Sequence, residues 1–448
     1  MSTPTLSFDK GSLILKGDVR VPHSFWDNRT KSFRSQGLYY RDIIEYLNQS
    51  KILIDDNVQQ LIPSPNFKSN ISLRGYQNKA LQNWIKAGKK GTIVLPTGSG
   101  KTIIAIKAIE EANTASIIIV PTLDLLEQWR TKLIESFNIE IGVYGGGTNK
   151  LESVTVATYN SAYLRAGEIG NRFGLIIFDE VHHLPAEGYK QIAEMFTAQY
   201  RMGLTATFER EDMLHNELPR LIGGIVFKLQ PSDLAGSYLA EYSLERINVD
   251  LSEHEKKEYD QYFKQFTDFL IRRKIKLTNT HDFRKFIMIT GRDKSARQAL
   301  LSRNKALEIA FNSETKIQAL KEILKSNLNE QIIIFTQHNQ LVHRISKQFL
   351  LPYITYLTSK DERNEILSRF KDGRFWTVVT SKVLDEGIDV PKASLGIIVS
   401  GTGSSREFIQ RLGRLLRKDR RKKSKLIELV SKETTEMRTS WKRKRSRE

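Results

Sequence analysis

The sequence predicts an α/β protein in which two parallel-sheet domains follow a small mixed module and are separated by a helical insertion. Three observations carry this. The apolar runs GTIVLP, ASIIIVP, VTVAT and LIIFDE alternate with amphipathic stretches between about Ile71 and Leu229, as expected of strands buried on both faces and joined by helices. The same alternation returns in EQIIIFT, YITYLT, TVVTSK and LGIIVSG between about Glu330 and Gly401. Between them, Leu251 to about Lys305 holds EHEKKEYDQYFKQFTDFLIRRKIK and KSARQALLSRNKALEIAF, which have the spacing of helices. A chain of 448 residues also exceeds what one core serves and suggests about three units.

In chain order, residues 1–65 form the mixed module, with short alternating runs such as SLILKGDVRV, Trp26, the Tyr39/Tyr40 pair and a helical RDIIEYLNQSKILI. Its chemistry is silent in the sequence. The first α/β domain spans 66–240 and the second 241–433, with the helical insertion at about 251–305 inside it. Residues 434–448 end in WKRKRSRE, which has no periodicity and reads as a mobile basic tail.

Composition excludes several classes. No stretch approaches the roughly 18 consecutive apolar residues of a membrane span, so an integral membrane protein is not expected. The first 25 residues are broken by charges every few positions and build no signal-peptide core. With no cysteine, disulfides, thiolate zinc sites, iron–sulfur clusters and cysteine nucleophiles are all excluded. The net charge is +19 and is strongly segregated. Residues 264–305 carry +9 and residues 411–448 carry +11, whereas the other 368 residues together carry −1. An evenly solvated surface would not divide this way, and a polyanion partner is favoured.

The chemistry begins at Leu95 to Thr102, LPTGSGKT, between the apolar run TIVL and the helical IIAIKAIEEA. Strand, glycine loop and helix are what a phosphate-binding loop requires. Thr97, Gly98, Ser99 and Gly100 form the loop, where glycines let backbone N–H groups approach phosphates. Lys101 is suited to the β and γ oxygens and the Thr102 hydroxyl to Mg²⁺. Leu95 stands where the full pattern has its first glycine, and taken alone the segment could be an ordinary glycine turn. Asp179 and Glu180 end GLIIFDEVHH, 78 residues after Lys101. An Asp at the end of a buried strand can hold Mg²⁺ opposite the loop threonine, and the next Glu can orient or deprotonate an attacking water. His182 and His183 lack the H-E-x-x-H spacing of metal ligands and read as hydrogen-bonding residues that link nucleotide state to the neighbouring strand. Further on, EFIQRLGRLLRK places Arg411, Arg414 and Arg417 three apart on one helical face. These are either a solvated basic stripe or arginine fingers delivered to a transferring phosphoryl group.

In this order, over Gly75 to Lys418, the motifs resemble those of superfamily 2 helicases and translocases with two RecA-like domains. The resemblance implies that Arg74 and Gln77 in LRGYQ contact adenine, that VPTLDLLEQW and ATYNSA track a DNA strand, and that Thr205, Ala206 and Thr207 couple hydrolysis to DNA grip. It places Gly387 and Asp389 of TSKVLDEGIDVP near the nucleotide, Gln410 beside the attacking water, and Arg414 and Arg417 as fingers. Directly after the coupling motif, FEREDM resembles the RED element of the xeroderma pigmentosum group B helicases in Arg210, Glu211 and Asp212. The DEVH sequence and a basic helical insertion placed like that family's thumb agree, and the length matches an archaeal member. Residues 1–65 match the family's damage recognition domain by position alone.

The resemblance implies an ATP- and Mg²⁺-dependent DNA helicase or translocase, acting in nucleotide excision repair or transcription-linked DNA opening with 3′ to 5′ movement. It implies cytoplasmic placement beside the nucleoid in an archaeal cell or nuclear placement in a eukaryotic one. A nuclease partner is implied for archaeal members, and the chain itself carries no recognisable nuclease motif. Duplex, fork or bubble DNA is the expected substrate, with Arg272, Arg273, Lys274 and Lys276 of the insertion contacting phosphates. The nearby Phe263, Phe266 and Phe269 recur every three residues and read as core. A restriction-system motor subunit shares the same motifs, and a nucleotide-switched DNA clamp with little unwinding would use the same site. RNA also remains open as a substrate. If Arg417 is a finger, Arg417→Ala lowers kcat by roughly 10³-fold or more with much less change in nucleotide affinity. Near-normal turnover of that variant identifies a solvated stripe.

Overall fold

The computed structural model describes residues 3–17, 19–210, 212–234, 241–278, 280–381, 393–400 and 423–437. The chain divides into two compact units, Met1–Gln230 and Pro231–Glu448.

The first unit opens with strands β1 (Thr5–Asp9), β2 (Ser12–Lys16), β3 (Phe25–Asp27) and β4 (Ser32–Gln36), helix α1 (Tyr40–Gln49) and strand β5 (Asp55–Asn57). They form a small mixed sheet in the order β3-β4-β2-β1-β5, antiparallel except for β5 beside β1. Alternation puts Leu6, Leu13 and Leu15 on the inner face, where Ile43 and Leu47 of α1 cover them. The module is hydrogen-bonded to the α/β part of its unit: Asn171 Nδ2 donates to Val58 O at 2.9 Å and Gln59 Nε2 to Thr197 O at 3.3 Å.

The α/β part runs through α2 (Gly75–Lys86), β6 (Lys90–Val94), α3 (Lys101–Ala112), β7 (Ser116–Val120), α4 (Leu123–Phe137), β8 (Gly142–Gly145), β9 (Thr148–Lys150), β10 (Val154–Thr158) and α5 (Tyr159–Ile169). It continues with β11 (Leu175–Asp179), α6 (Lys190–Met195), β12 (Tyr200–Thr205), the single turn α7 (Leu218–Leu221) and β13 (Ile225–Lys228). Among the described residues the sheet order is β13-β6-β12-β11-β7-β10-β8-β9, parallel except at β9. Strands β7, β10 and β11 are buried along their whole length, which explains their unbroken apolar runs. Helices α4 and α5 each start on a threonine cap, Thr122 and Thr158, directly after a strand.

One charged side chain is embedded here. Arg201 on β12 is fully buried and donates to four main-chain carbonyls, those of Ala193, Phe196, Ala198 and Leu221, at 2.6–3.2 Å. Burial pushes its guanidinium down, to about 9, while the carbonyl dipoles satisfy its N–H groups. It binds the strand to α6, the following turn and α7.

The second unit begins with the turn α8 (Pro231–Leu234) and continues through β14 (Glu241–Val249), α9 (Glu253–Arg272), α10 (Thr280–Thr290), α11 (Lys294–Phe311) and α12 (Glu314–Ser326). Then follow β15 (Ile332–Phe335), α13 (Asn339–Phe349), β16 (Tyr353–Ile354), α14 (Lys360–Lys371), β17 (Thr377–Thr380), β18 (Leu395–Ile398) and β19 (Lys423–Ser431). All described pairings are parallel, in the order β14-β19-β18-β15-β17-β16. Neither β14 nor β19 belongs to the apolar runs that mark the other strands. β14 lies at the sheet edge and mixes charged with apolar residues, and Lys425 and Glu428 interrupt the apolar residues of β19. Their pairing, Glu241 opposite Lys423 through Val249 opposite Ser431, is long-range.

The insertion is helical, as the sequence predicts, and its last helix runs on to Phe311. Aromatics of α9 meet small residues of α11: Tyr259 packs with Ala306 and Ala310, and Phe266 and Phe269 with Ala296, Ala299 and Phe286. Phe266 and Phe269 are buried and Phe263 packs beside them, which makes this triplet core. Residues 434–437 are held by a buried ion pair, Lys316 Nζ to Glu436 Oε2 at 2.7 Å, and residues 438–448 lie outside the described ones. No described helix is long and apolar enough to cross a membrane.

Arg201→Leu removes the donors of four buried carbonyls and lowers unfolding free energy by about 3 kcal/mol or more. Denaturant titration measures this, and an unchanged midpoint would show that water satisfies those carbonyls.

Candidate nucleotide-binding site

The C-terminal ends of β6, β12 and β11 are neighbours, with Thr205 opposite Val94 and Asp179 opposite Leu204. The loop Thr97–Thr102, Asp179, Glu180, His182, Thr205 and Thr207 stand on or beside this edge, which is where ligands bind in open parallel sheets.

From β6 the chain enters the loop Leu95–Gly100 and turns into α3 at Lys101. The turn needs the left-handed backbone of Gly98 (φ 82°) and Gly100 (φ 80°), the latter serving as the helix N-cap. The loop is braced from inside: the buried Ser99 donates its Oγ proton to Pro96 O at 2.7 Å. The Ser99 carbonyl accepts from Tyr76 Oη at 2.5 Å and from Gln77 Nε2 at 3.0 Å. Gln77 Oε1 in turn accepts from the Arg74 N–H at 2.9 Å. Gln77 is therefore a buried brace of the loop, and Arg74 at the start of α2 is exposed.

Two features test whether the loop fits a phosphate group. Lys101 Nζ donates to two loop carbonyls, Leu95 O at 3.1 Å and Pro96 O at 3.4 Å, so the ammonium stands over the loop mouth. Thr97 Oγ1 is buried and has no hydrogen-bond partner among the described residues. With the N–H groups of Lys101 and Thr102 at the start of α3, these provide cation, hydroxyl and amide donors at one place. The donor set fits a nucleotide phosphate.

At the end of β11 the Asp179 carboxylate accepts Trp129 Nε1–H at 2.8 Å on Oδ2 and the Glu180 N–H at 3.0 Å on Oδ1. Its carbonyl accepts from Tyr159 Oη at 3.0 Å. Glu180 follows in the left-handed region (φ 45°, ψ 54°), rare for a residue with a Cβ, and starts the short 3-10 turn Val181–His183. The Glu180 carboxylate points back over β12: Oε2 lies 3.4 Å from both Thr205 Oγ1 and His182 Nδ1. His182 is fully buried, with Nδ1 at 3.0 Å from Thr205 Oγ1. Thr205 Oγ1 has one proton, and the 2.7 Å contact to Thr207 O takes it. The same oxygen accepts the Thr207 N–H at 3.2 Å, so His182 must donate to it, which assigns the Nδ1–H tautomer. This is the link from histidine to neighbouring strand that the sequence suggests. His183 lies beside it, its ring tilted by 40° and the ring centroids 4.3 Å apart.

The network continues outward. A guanidinium N–H of Arg210 donates to the His182 carbonyl, and the same side chain grips Asp212 through two bonds of 2.9 and 2.7 Å. Both side chains are largely buried, and Arg210 ties the pair to the turn after β11 in its own unit. Glu211 lies outside the described residues, as do Gly387, Asp389, Gln410, Arg411, Arg414 and Arg417. In the second unit Arg272, Arg273, Lys274 and Lys276 are exposed at the C-terminal end of α9 and just beyond. There they also complement the helix dipole, and Arg273 pairs with Asp293 at 2.9 Å. Sequence reasoning assigned no role in this site to Trp129, Tyr76 or Tyr159. The one usable signal was that a buried indole N–H needs an acceptor. No group of three or more potential metal ligands occurs among the described residues.

Three family models match the chain: the xeroderma pigmentosum group B helicase damage recognition domain over 6–58, the type III restriction enzyme res subunit over 70–210, and the ERCC3/RAD25/XPB C-terminal helicase over 297–446. The chain is 45% identical over 439 residues to the DNA 3'-5' translocase XPB2 of Sulfurisphaera tokodaii, covering 98% of this chain and 99% of that one. It is 31% identical to the putative DNA 3'-5' helicase Rad25 of Haloarcula marismortui over 78% of this chain and 51% of that protein. To the general transcription and DNA repair factor IIH helicase/translocase subunit XPB/SSL2 of Saccharomyces cerevisiae it is 26% identical, over 84% of this chain and 43% of the yeast protein. Among solved structures, the Hef helicase domain of Pyrococcus furiosus matches with a TM-score of 0.54 at 22% identity, over 84% of this chain and 98% of that one. This likeness concerns the fold, which is that of paired RecA-like domains.

A Cβ on Gly100 would lie 2.6 Å from Gln77 Nε2, at a φ that L-residues rarely adopt. Gly100→Ala therefore strains the loop and breaks its brace, and lowers stability by about 1–2 kcal/mol, read in a thermal or denaturant melt. Unchanged stability would mean that the loop backbone is free to rearrange.

Proposed function

This chain belongs to the xeroderma pigmentosum group B (XPB) family of DNA helicases, and on that premise we propose that it is an ATP-driven 3′ to 5′ DNA translocase and helicase. The observation that carries the proposal is the convergence of the Lys101 loop, the Asp179–Glu180 pair and the His182–Thr205 bond on one sheet edge. Bound Mg²⁺ and ATP supply the phosphoryl group and the cation that shields its charge. Lys101 and the first-turn N–H groups of α3 bind phosphate oxygens, and Thr102 and Asp179 are the residues that would hold Mg²⁺. Trp129 fixes the Asp179 carboxylate through one oxygen, so the helix carrying the strand-tracking motif is tied to the metal-binding residue. Glu180 accepts the proton of the attacking water at its carboxylate. Its orientation is read by His182 and Thr205 and passed through the His182 carbonyl to Arg210 and Asp212. Arg74, exposed at the loop's flank, fits the adenine-facing role that the resemblance gives to both residues, whereas the buried Gln77 braces the loop from beneath.

The second unit contributes the remaining parts by family resemblance: Gly387 and Asp389 beside the nucleotide, Gln410 at the water, Arg414 and Arg417 at the transferring phosphoryl group. Its exposed Arg272, Arg273, Lys274 and Lys276 contact DNA phosphates without reading sequence. Repair or transcription-linked DNA opening is the setting, with a nuclease partner as the resemblance suggests for archaeal members. The restriction-subunit match covers the shared first-domain motifs, whereas the matches at both ends are to XPB models, which favours the XPB reading.

DNA-stimulated ATPase and nucleotide binding test the proposal together. Lys101→Ala weakens both, whereas Glu180→Gln keeps binding and loses turnover. Normal turnover in Glu180→Gln would remove Glu180 from the chemistry.

A further inference from the structure

Beyond Asp179 the nucleotide edge continues into a second set of strand ends. β11 lies between β12 and β7, with β10 next to β7. Phe178 pairs with Ile119 and Thr158 with Val120, so the ends of β7 and β10 stand level with Asp179, on the side away from the glycine loop. Helices α4 and α5 start from these two ends, each on its threonine cap. Each also exposes a residue of its first turn, Leu123 in α4 and Asn160 in α5. These are the helices whose sequences, VPTLDLLEQW and ATYNSA, resemble strand-tracking motifs.

Each helix sends one buried aromatic donor to the same residue. Trp129 of α4 is buried and gives its single polar hydrogen to the Asp179 carboxylate at 2.8 Å. Tyr159, the first residue of α5, is buried and gives its hydroxyl proton to the Asp179 carbonyl at 3.0 Å. One donor thus holds the side chain and the other the main chain of a residue that belongs to neither helix. Burial obliges an indole or a phenol to find an acceptor, but nothing in burial requires both to find it on one residue. The surroundings leave Tyr159 little room: the rings of Phe178, His183 and Tyr189 lie 6.2, 6.0 and 5.3 Å from its own, centroid to centroid. In so close-packed an interior a shift of either helix is passed on to Asp179.

We infer that Trp129 and Tyr159 are positioning residues through which contact of α4 and α5 with a DNA strand sets the Asp179 carboxylate, and with it the rate of ATP hydrolysis. The inference rests on the reading of the chain as a DNA-stimulated ATPase and names the side chains that join its two sites. Trp129 is the stronger connection, because it holds a carboxylate and hydrogen bonds to an ionised acceptor are roughly twice as strong as neutral ones. The coupling is reciprocal: a nucleotide that engages Asp179 also changes the hold of α4 and α5 on the strand.

Two conservative variants of the full-length chain each remove one donor and leave an aromatic ring in the core, Trp129→Phe and Tyr159→Phe. ATPase is measured with and without a DNA fork, and tryptophan fluorescence is recorded as the same fork is added without nucleotide. The ratio of the rate with DNA to the rate without it falls by roughly 10-fold or more in Trp129→Phe, and by less in Tyr159→Phe. The fork alone changes the emission of wild type, and the change shrinks in Trp129→Phe, which separates Trp129 from the other tryptophans among the chain's five. A merely structural role lowers both rates in proportion and leaves the ratio unaltered. That result overturns the inference, as does an emission response equal in wild type and Trp129→Phe. Should Trp129→Phe fail to fold, the ratio in Tyr159→Phe decides. A wild type that DNA does not stimulate sinks the translocase reading together with this inference, whereas a stimulated wild type with unaltered ratios in the variants sinks this inference alone.

Discussion

The register between β6, β12 and β11 is the constraint on which the rest of the site depends. Because Thr205 lies opposite Val94 and Asp179 opposite Leu204, the strand that leads into the glycine loop and the two strands bearing Thr205 and Asp179 end together. A slip of one residue would turn each side chain to the other face of the sheet. The register is secured by strands buried on both faces, where such a slip would strip apolar packing along the whole strand. Chemistry is confined to the edge because charged groups inside the sheet would lack partners. Arg201 lies inside and is tolerated because four backbone carbonyls surround it.

From that edge, one hydrogen-bond arrangement reaches outward. Thr205 gives its single hydroxyl proton to Thr207 O, so His182 has to donate to Thr205, and the Glu180 carboxylate sits beside the same Nδ1–H. A rearrangement of Glu180 would disturb a buried histidine whose carbonyl holds Arg210. The left-handed backbone of Glu180 is a cost met by this surrounding order. On the other side Tyr76 and Gln77 brace the loop from α2, and Trp129 holds Asp179 from α4. The candidate catalytic side chains are thus held by groups that belong to other elements, as preorganised sites require.

The second unit solves a different problem. Its helical insertion buries aromatics of α9 against alanines of α11, which leaves the basic residues at the end of α9 in solvent. The buried Lys316–Glu436 pair, with Lys316 also donating to Val399 O and Glu436 accepting from Ser431 N, anchors the turn after β19. Such a pair adds little net stability, since desolvation offsets its attraction. Its effect is positional, because breaking it would leave a charge unpaired in the core.

Local sequence determined the parts whose signal is periodic or compact: the buried strand runs, the α9–α11 insertion with its buried phenylalanines, the glycine loop before Lys101 and the strand-end Asp179–Glu180 pair. These were legible because burial on both faces writes continuous apolar runs and a phosphate loop needs adjacent residue types. Tertiary structure decided the rest. The β14–β19 pairing joins residues 241–249 to 423–431, and neither strand has an unbroken apolar run to announce it. The Trp129–Asp179 bond spans 50 positions, and the inward turn of Arg210 and Asp212 depends on a carbonyl 28 residues away. Hydrogen bonds and exposure at long sequence separation carry no local pattern, so only the assembled chain specifies them.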